Sequence, residues 1–216
     1  MFSQLVDQIT SDAARSDLRN SVVVFVNEAI REAAASHDYD ACLTELEVAV
    51  PTPVVTSSST PVVTWTIPNP ACFRRILYVS YDKGQTCSPT PVLPSDRVFK
   101  LHNYYYRAGD CFSFVGARQS IQIAYYSLPK YLHYIEPDDR IVEFDGCGFD
   151  PSVPQEEIDK ATNWVLLRWR DVVYDGAMAR LLRMAKDPRQ PAFFSAFERG
   201  KKAMRANEGT DYVRAH

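Results

Sequence analysis

The sequence predicts an α+β protein in which amino-terminal and carboxy-terminal helices form a bundle and an antiparallel β-domain is inserted between them. Hydrophobic residues recur at intervals of three and four near both ends of the chain, which is typical of amphipathic helices. From about residue 43 to residue 126 they alternate with polar residues, as in half-buried strands. Strands and helices do not alternate along the chain, which favours α+β over α/β architecture. The predicted segments are the amino-terminal helices at 1–42, the inserted β-domain at 43–135, the connection and long helix at 136–191, and a docking helix with its tail at 192–216.

Two helices are predicted at the amino terminus. The first is short, carries its apolar residues Leu5, Val6 and Ile9 on one side, and is capped by Ser3. The second is an amphipathic helix within residues 16–36, capped by the serine or the aspartate at its start, Ser16 or Asp17. Its apolar stripe consists of Val22, Phe25, Val26, Ala29, Ile30 and Ala33.

Segments with the alternation of strands follow, separated by proline, glycine, serine and aspartate. They are LTELEVAV, PVVTWTI, RRILYVSY, RVFKLHNYYYR, CFSFVG and SIQIAYYSL. The polar run from Pro51 to Pro61 is expected to be a mobile hairpin tip or loop, because it offers little apolar surface. In the last segment Ile121, Ile123 and Tyr125 are expected to face the core, and the opposite face is expected to be mixed.

Helical periodicity returns after Pro154 and predicts a long helix that ends at Asp187-Pro188. One of its apolar faces consists of Ile158, Thr162, Val165, Trp169 and Val172. The second face, the predicted subunit interface, consists of Trp164, Leu167, Tyr174, Met178 and Leu181. A helix with two apolar faces needs two neighbours, so the second face packs either inside the same bundle or against another subunit.

The last predicted helix begins at Pro191 and is the most basic segment of the chain. Its cationic residues are Arg199, Lys201, Lys202 and Arg205, and its apolar residues are Phe193, Phe194, Phe197 and Met204. An amphipathic helix of this kind either packs on its own bundle with a solvated face or docks on a partner at an exposed terminus. Both interpretations remain open from the sequence.

The composition argues against several classes of protein. A formal net charge of −3 gives no general attraction to nucleic acid, since phosphate binders carry a concentrated basic surface. The 5 cysteines have wide and irregular spacings that indicate neither a disulfide framework nor a zinc site, so reduced thiols are expected. The opening MFSQLVDQITSD has no basic segment before an apolar core, and no window is apolar enough for a membrane span. We expect a protein made in the cytoplasm, with no membrane partner.

Local motifs of catalysis and cofactor binding are missing from the sequence. It has no GxSxG nucleophile elbow and no phosphate-binding loop of the GxxxxGK[ST] or GxGxxG type. An alternative function is that of a hydrolase that uses His133 and the acidic loop before Pro154. The acidic residues of this loop are Glu136, Asp138, Asp139, Glu143, Asp145 and Asp150. The favoured prediction treats them as a solvated loop and includes no catalytic residue, no cofactor and no metal.

The order of parts along the chain follows a known arrangement. The parts are the opening LVDQITSDAARSDLRNSVVVFVNEAIREAA, then NPACFRRILYVSYDKG with YYYRAGDCFSFVGARQSIQIAYYSLPKYL, and finally WVLLRWRD ahead of FFSAFERGKKAMRA. This arrangement covers most of the chain and resembles the head-to-tail adaptor, or head-completion, proteins of tailed bacteriophages, especially the short-tailed ones.

The resemblance implies a structural virion protein at the head–tail junction. Proteins of this kind form a ring of identical subunits, commonly twelve, that sits beneath the portal protein, carries the next tail component, such as a nozzle or tail tube, and lets DNA pass along its axis during ejection. It also implies that the helices build the ring and that residues 192–216 dock on the portal. The docking residues implied here are Phe193, Phe194, Phe197, Arg199, Lys201, Lys202, Arg205 and Tyr212. A small adaptor that binds one partner through the last helix, without a ring, is the remaining alternative.

Overall fold

The computed structural model describes residues 2–50, 64–70, 72–84, 89–92, 103–116, 119–132 and 163–214, and it confirms the predicted α+β class. The chain forms two compact units. The helical unit consists of Met1–Cys42 and Leu128–His216, and the β unit consists of Leu43–Ser127. The β unit is thus inserted as one continuous segment between the two parts of the helical unit. The predicted end of the β-domain at residue 135 and the predicted acidic loop lie outside the described residues.

The described part of the helical unit contains five α-helices. They are α1 (Phe2–Asp12), α2 (Arg19–Ala35), α3 (Trp164–Arg168), α4 (Arg170–Met184) and α5 (Gln190–Arg214). The predicted apolar residues of α1 and α2 are buried, except that Phe25 is half-buried. Full burial of one large apolar side chain stabilises a fold by about 1.5–3 kcal/mol, so these stripes hold the bundle together.

The start of α2 differs from the prediction. A single 3₁₀ turn, Ser16–Leu18, precedes the helix, and the N-cap residue Leu18 makes no side-chain hydrogen bond. The carboxylate of Asp17 instead accepts two hydrogen bonds from Arg15, each 2.9 Å long. The prediction that Ser16 or Asp17 caps this helix is therefore wrong, because the helix starts later and the carboxylate binds a neighbouring guanidinium.

The predicted long helix is interrupted at Trp169. Its backbone angles, φ −133° and ψ 39°, are not helical, so α3 and α4 are separate helices. The second of them ends at Met184, and Lys186 turns the chain with a φ of 55° before Asp187 is reached. The prediction of one uninterrupted helix through this region is wrong, because apolar spacing does not report a local change of backbone angles.

The strands of the β unit are β1 (Leu43–Ala49), β2 (Thr64–Pro68), β3 (Phe73–Tyr81), β4 (Thr90–Pro91), β5 (Tyr104–Ala108), β6 (Cys111–Val115) and β7 (Ser120–Ser127). They form a three-stranded sheet in the order β1–β7–β3 and a four-stranded sheet in the order β2–β6–β5–β4. The strand pairs are antiparallel except for β4 and β5, which are parallel. The short strand β4 was not predicted.

The two sheets pack face to face around an aromatic core. Phe73 of the first sheet contacts Phe112 of the second, with ring centroids 5.0 Å apart. The buried residues of this core are Val50, Val79, Tyr81, Phe112, Phe114, Ile121, Ile123 and Tyr125. The prediction that Ile121, Ile123 and Tyr125 face the core is therefore confirmed.

The opposite face of β7 is covered by residues of the neighbouring strands. Ala124 lies between Glu45 and Tyr78, and the hydroxyl of Tyr78 donates a hydrogen bond of 3.2 Å to the Glu45 carboxylate. The guanidinium of Arg75 stands 5.3 Å from the ring centroid of Tyr126. Because β7 is the central strand, neighbours on both sides shield this face.

A buried amide fixes the chain where it returns to the helical unit. Asn27 of α2 is only 1% exposed. Its Oδ1 accepts a hydrogen bond of 2.7 Å from the Leu132 amide, and its Nδ2 donates to the carbonyl oxygens of Leu132 at 2.8 Å and Val23 at 3.1 Å. One side chain therefore satisfies both backbone polar groups of Leu132, as a neighbouring strand would.

Candidate docking surfaces of the helical unit

Helices α4 and α5 are antiparallel and approach each other closely at two glycines. A Cβ atom on Gly176 would stand 2.7 Å from Cε2 of Phe197, and a Cβ atom on Gly200 would stand 2.6 Å from Cγ2 of Val172. Both distances are shorter than a carbon–carbon contact, so the two helices pack at this distance only because these positions lack a side chain. The two contacts fix the register of α5 along α4.

Two cations cover the ring of Phe197, which is buried between these helices. The guanidinium of Arg180 lies 5.5 Å from the ring centroid, and the ammonium of Lys201 lies 4.7 Å from it. Each such contact stabilises by about 0.5–2 kcal/mol, depending on how far the cation is removed from water. Phe197 and Lys201 therefore contribute to the packing of α5 on its own bundle.

The same two cations belong to an ion-pair cluster that joins α2, α4 and α5. Lys201 Nζ lies 2.7 Å from Glu32 Oε1 and 2.6 Å from Glu198 Oε1. Arg180 binds the other carboxylate oxygen of Glu32, and its Nε lies 3.2 Å from the Glu28 carboxylate. Glu32 of α2 is thus shared by a cation from each of the other two helices.

In this cluster, the charged neighbours of Glu32 and of Lys201 shift their pKa values more than burial does. Burial alone would raise the pKa of Glu32, but the hydrogen bond from Lys201 and the charge of Arg180 leave it below the ordinary value of 4.5. Burial alone would lower the pKa of Lys201, but hydrogen bonds to Glu198 and Glu32 leave it above the ordinary value of 10.5. Both groups are therefore charged throughout the neutral range.

We expect Glu32→Gln to destabilise the helical unit at neutral pH by about 1 kcal/mol, a value for a part-exposed ion-pair network. The folded-state pKa of Glu32 is lowered, so its contribution is present above pH 4.5 and is lost as the pH falls through the folded-state value. Urea unfolding of both proteins at pH 7 and at progressively lower pH measures the difference.

The control for this prediction is Asp17→Asn, which removes an ion pair on the surface and should leave the free energy of unfolding almost unchanged over the same pH range. If the free energies of unfolding of the wild type and of Glu32→Gln differ by the same amount at every pH, the role assigned to the carboxylate is contradicted.

The structure divides the predicted docking residues into two groups. Phe197 and Lys201 are buried, and Phe193 is half-buried with its ring 6.2 Å from that of Tyr174. The accessible ones are Phe194, Arg199, Lys202 and Arg205. The side chain of Tyr212 lies outside the described residues, although its backbone is helical. That these docking residues contact a partner stays a prediction.

Helix α5 is longer than the helix on which it packs. It has 25 residues and α4 has 15, which correspond to lengths of about 37 and 22 Å. In the register set by Gly176 and Gly200, Arg170 at the start of α4 lies opposite residues 202–203 of α5. The carboxy-terminal part of α5, beyond the buried Met204, therefore extends past the beginning of α4.

The predicted subunit-interface residues also fall into two groups. Met178 and Leu181 are each 1% exposed and belong to the core of the helical unit, so they are already covered within one subunit. Trp164 is half-buried and its ring lies 5.0 Å from that of Tyr39. Leu167 is 56% exposed and remains accessible to a neighbour.

Tyr174, the fifth predicted interface residue, is held by its own subunit. Its hydroxyl donates a hydrogen bond of 2.8 Å to the Asp12 carboxylate at the end of α1. Burial, followed by this hydrogen bond, raises the pKa of Tyr174 to about 12. The residue therefore links α4 to α1 and stays protonated at neutral pH.

The structure contains a groove that no sequence pattern indicated. The groove has a volume of about 370 Å³ and is lined by Glu32, Ala179, Arg180, Arg183, Gln190 and Phe194. Phe194 is 49% exposed beside it, and Met184 is 47% exposed at the end of α4. We call this feature the Phe194 groove. Its residues come from three helices, so their proximity depends on the packing of the bundle.

The described residues contain no cluster of three or more histidine, cysteine, aspartate or glutamate side chains that could hold a metal ion. Nor does any helix among them have the length and apolar character that a membrane crossing requires. His133 and the acidic loop of the hydrolase alternative lie outside the described residues.

The helical unit thus presents a long terminal helix with accessible cations, exposed apolar side chains and a groove between helices, which are surfaces on which another protein can dock. The family model described as SU10 adaptor protein matches residues 2–215, and the chain belongs to that family. This match confirms the resemblance to phage head-to-tail adaptors, and an adaptor family favours a structural role over an enzymatic one. No curated protein matches the chain.

Proposed function

We propose that this protein forms a ring at the head–tail junction of a bacteriophage particle, where it joins the portal protein to the next tail component. Membership of an adaptor family supports this role. A ring requires heterologous contacts that close by rotation, so each subunit needs two different and complementary surfaces. The net charge of −3 suits a channel through which DNA slides without being gripped, since strong binding requires neutralised phosphates.

The observation that carries the proposal is the extension of α5 beyond α4. Arg199, Lys202 and Arg205 recur every three residues and are exposed, so they lie along one side of this helix. The apolar contacts of Phe197 and Met204 anchor the helix to its own bundle. The cationic side of the helix is accessible, and we propose that it docks, together with the end of α5 beyond α4, on an acidic surface of the portal.

We expect a truncation after Asn207 to fold normally and to lose portal binding. The truncation keeps Phe197, Lys201 and Met204, and therefore the described contacts of α5 with the bundle. Circular dichroism and thermal unfolding check the fold. Co-sedimentation of the purified protein with purified portal measures binding.

A variant with Arg199, Lys202 and Arg205 all replaced by alanine should bind the full-length portal at least tenfold more weakly, and its binding should respond less to added salt. The matched control is Lys186→Ala, an exposed cation in the turn before α5. Equal loss in the control would point to a general charge effect and not to this helix.

The mass of the complex distinguishes a ring from an adaptor that binds singly. Electron microscopy and native mass spectrometry of the protein mixed with portal should show a closed ring of many subunits. A complex that carries only isolated subunits would favour the alternative of a partner-binding adaptor, and persistent monomers that never bind portal would reject the proposed function.

A further inference from the structure

Strand β1 is an edge strand that lacks the usual protection against pairing with a further strand. The edge strands of the two described sheets are β1 and β3 in one and β2 and β4 in the other. Strand β3 pairs irregularly at Arg74 and Leu77, strand β4 is two residues long and contains Pro91, and strand β2 ends in Pro68. Bulges, shortness and proline each hinder the addition of a strand. Strand β1 has 7 residues in regular register with β7 and contains neither proline nor glycine.

The backbone polar groups of alternate β1 residues point away from β7. Directly after β1, the Val50 amide donates a hydrogen bond of 2.8 Å to the carbonyl oxygen of Gln119, in the same register as the β1–β7 pair. Hydrogen-bonded and non-hydrogen-bonded residues alternate along an antiparallel pair. The amide and carbonyl groups of Glu45 and Glu47 therefore point to the outer edge of β1, where no described strand pairs with them. No residue of β1 is buried, so this edge is accessible.

The segment around this edge is acidic. From Asp38 to Phe73 the sequence contains four acidic residues and no lysine or arginine. Two of the four are Glu45 and Glu47, whose side chains are exposed on the outer face of the sheet. Glu45 accepts a hydrogen bond from the neutral hydroxyl of Tyr78, which leaves its charge uncompensated by this contact.

Two cations reach the same face from the opposite side of the sheet. Lys83, in the turn after β3, has its Nζ 3.5 Å from the carboxylate of Glu47 and compensates part of that charge. Arg75 of β3 lies over the ring of Tyr126. Strand β3 would stand about 14 Å from a strand added beside β1, which is three strand spacings. The charges nearest to an added strand are therefore those of the two glutamates.

These glutamates also argue against pairing of β1 with a second copy of itself. An antiparallel pair of two β1 strands, with both cores on the same side, would place Glu45 opposite Glu47 or opposite its own counterpart. Like charges directly opposite each other in a sheet are destabilising, whereas opposite charges stabilise the pair. On the inner face, Leu46 and Val48 are only half-buried, so apolar side chains of an added strand would cover them.

We propose that β1 accepts a strand from another protein in which basic and apolar residues alternate. The basic side chains lie beside Glu45 and Glu47, the apolar side chains cover Leu46 and Val48, and the two backbones pair along the outer edge. This inference rests on the proposed function and deepens it. The last helix is assigned there to the portal, and the strand added to β1 comes from the next tail component.

A synthetic peptide of alternating lysine and valine tests the strand acceptor. The peptide is titrated into isotope-labelled full-length protein, and the backbone amide signals are followed by nuclear magnetic resonance. We expect the signals of Glu45 and Glu47 to shift and their hydrogen exchange to slow at least tenfold, because both amides gain an acceptor. Two peptides are controls and should leave these amides unchanged. One has the same composition with lysines and valines in separate blocks, and the other alternates glutamate with valine.

A proline substitution tests the outer edge without breaking the pairing with β7. Glu47→Pro removes an amide that points outward, and Pro68 occupies the corresponding kind of position in β2, directly before the hydrogen-bonded Asn69. We expect this variant to bind the alternating lysine peptide at least tenfold more weakly. Glu47→Gln, which keeps the amide and loses the charge, should show a smaller decrease. Thr66→Pro, at an outward position of β2, is the matched control and should bind normally. Circular dichroism verifies that each variant is folded.

The outcomes separate this strand acceptor from the proposed function. If neither amide responds to the alternating lysine peptide, or if a control peptide acts equally well, the inference is overturned, while portal binding and ring formation stand on their own measurements. Slow exchange of the Glu45 and Glu47 amides in concentrated protein alone would identify a second copy as the partner and would also overturn it.

The assembled ring tests the assignment to the tail. Glu47→Pro should bind portal normally and should bind the purified tail component at least tenfold more weakly than the wild type. Normal binding of the tail component by this variant overturns the assignment. If no ring forms on the portal, the proposed function is rejected, and the peptide titration still decides whether β1 accepts a strand.

Discussion

Replacement of Asn27 by leucine is expected to lower the free energy of unfolding by roughly 2–5 kcal/mol. Leucine has a similar size but no polar atom, so the buried amide and carbonyl of Leu132 lose their partners. Each buried polar group left without a hydrogen bond costs about 1–3 kcal/mol. For a chain of 216 residues this corresponds to a decrease in melting temperature of roughly 5–15 °C, measurable by differential scanning calorimetry.

The control for this prediction is Asn20→Leu, which makes the same chemical change at an exposed position of the same helix. It should change stability by about 0.5 kcal/mol or less. Asn27→Asp adds a second comparison, since it keeps the acceptor and places a negative charge against the carbonyl oxygens of Leu132 and Val23. That variant should recover stability when acid restores a donor. An Asn27→Leu protein as stable as the wild type would show that Leu132 does not depend on this side chain.

Alanine at Gly200 or Gly176 is expected to destabilise the helical unit although alanine is the better helix former. The gain in helix propensity is about 1 kcal/mol, whereas forcing a methyl group into a packed contact typically costs about 1–3 kcal/mol. At Gly176 the new Cβ meets the ring of Phe197 and the Cβ of Ala29, at 2.7 and 2.9 Å, and neither can move without displacing α2 or α5. The steric cost therefore wins, and we expect a net loss of about 1–2 kcal/mol in urea unfolding.

The contact at Gly200 allows a test in which the sign of the effect reverses. Its new Cβ meets mainly the methyl groups of Val172, which have little rotational freedom. In a Val172→Ala background the methyl groups are gone, so Gly200→Ala should become stabilising by up to about 1 kcal/mol. Ser195→Ala, at an exposed position of α5, is the control and should change little. Destabilisation of the same size in both backgrounds would show that the close approach of α4 and α5 is not the cause.

The sequence predicted the fold class because periodicity directly reports burial. The stripe with Val22, Val26 and Ile30 is buried in α2, and the alternation of Ile121, Ile123 and Tyr125 places them in the core of the β unit. It did not predict the break at Trp169, because the spacing of apolar residues continues through a local change of backbone angles.

The candidate site was predicted only in part, for a physical reason that the last helix illustrates. Amphipathic spacing correctly indicated a helix, but the cationic and aromatic sides that it predicted are not separate, because Phe194 is exposed and Lys201 is buried. It gave the same status to Lys201 and Lys202, although the first is 8% exposed in an ion-pair cluster and the second is exposed. The difference comes from Glu32, which lies 169 residues away in the chain and receives a hydrogen bond from Lys201.

The sequence by itself determined the helical and β segments, the membership of the adaptor family and the cationic character of the last helix. The tertiary structure alone decided which side chains of these segments remain accessible. Met178 and Leu181 are core residues, Leu167 remains exposed, and the Phe194 groove exists because residues of three helices come together there. The physical reason is that periodicity shows which residues avoid water, whereas long-range packing decides which other residues cover them.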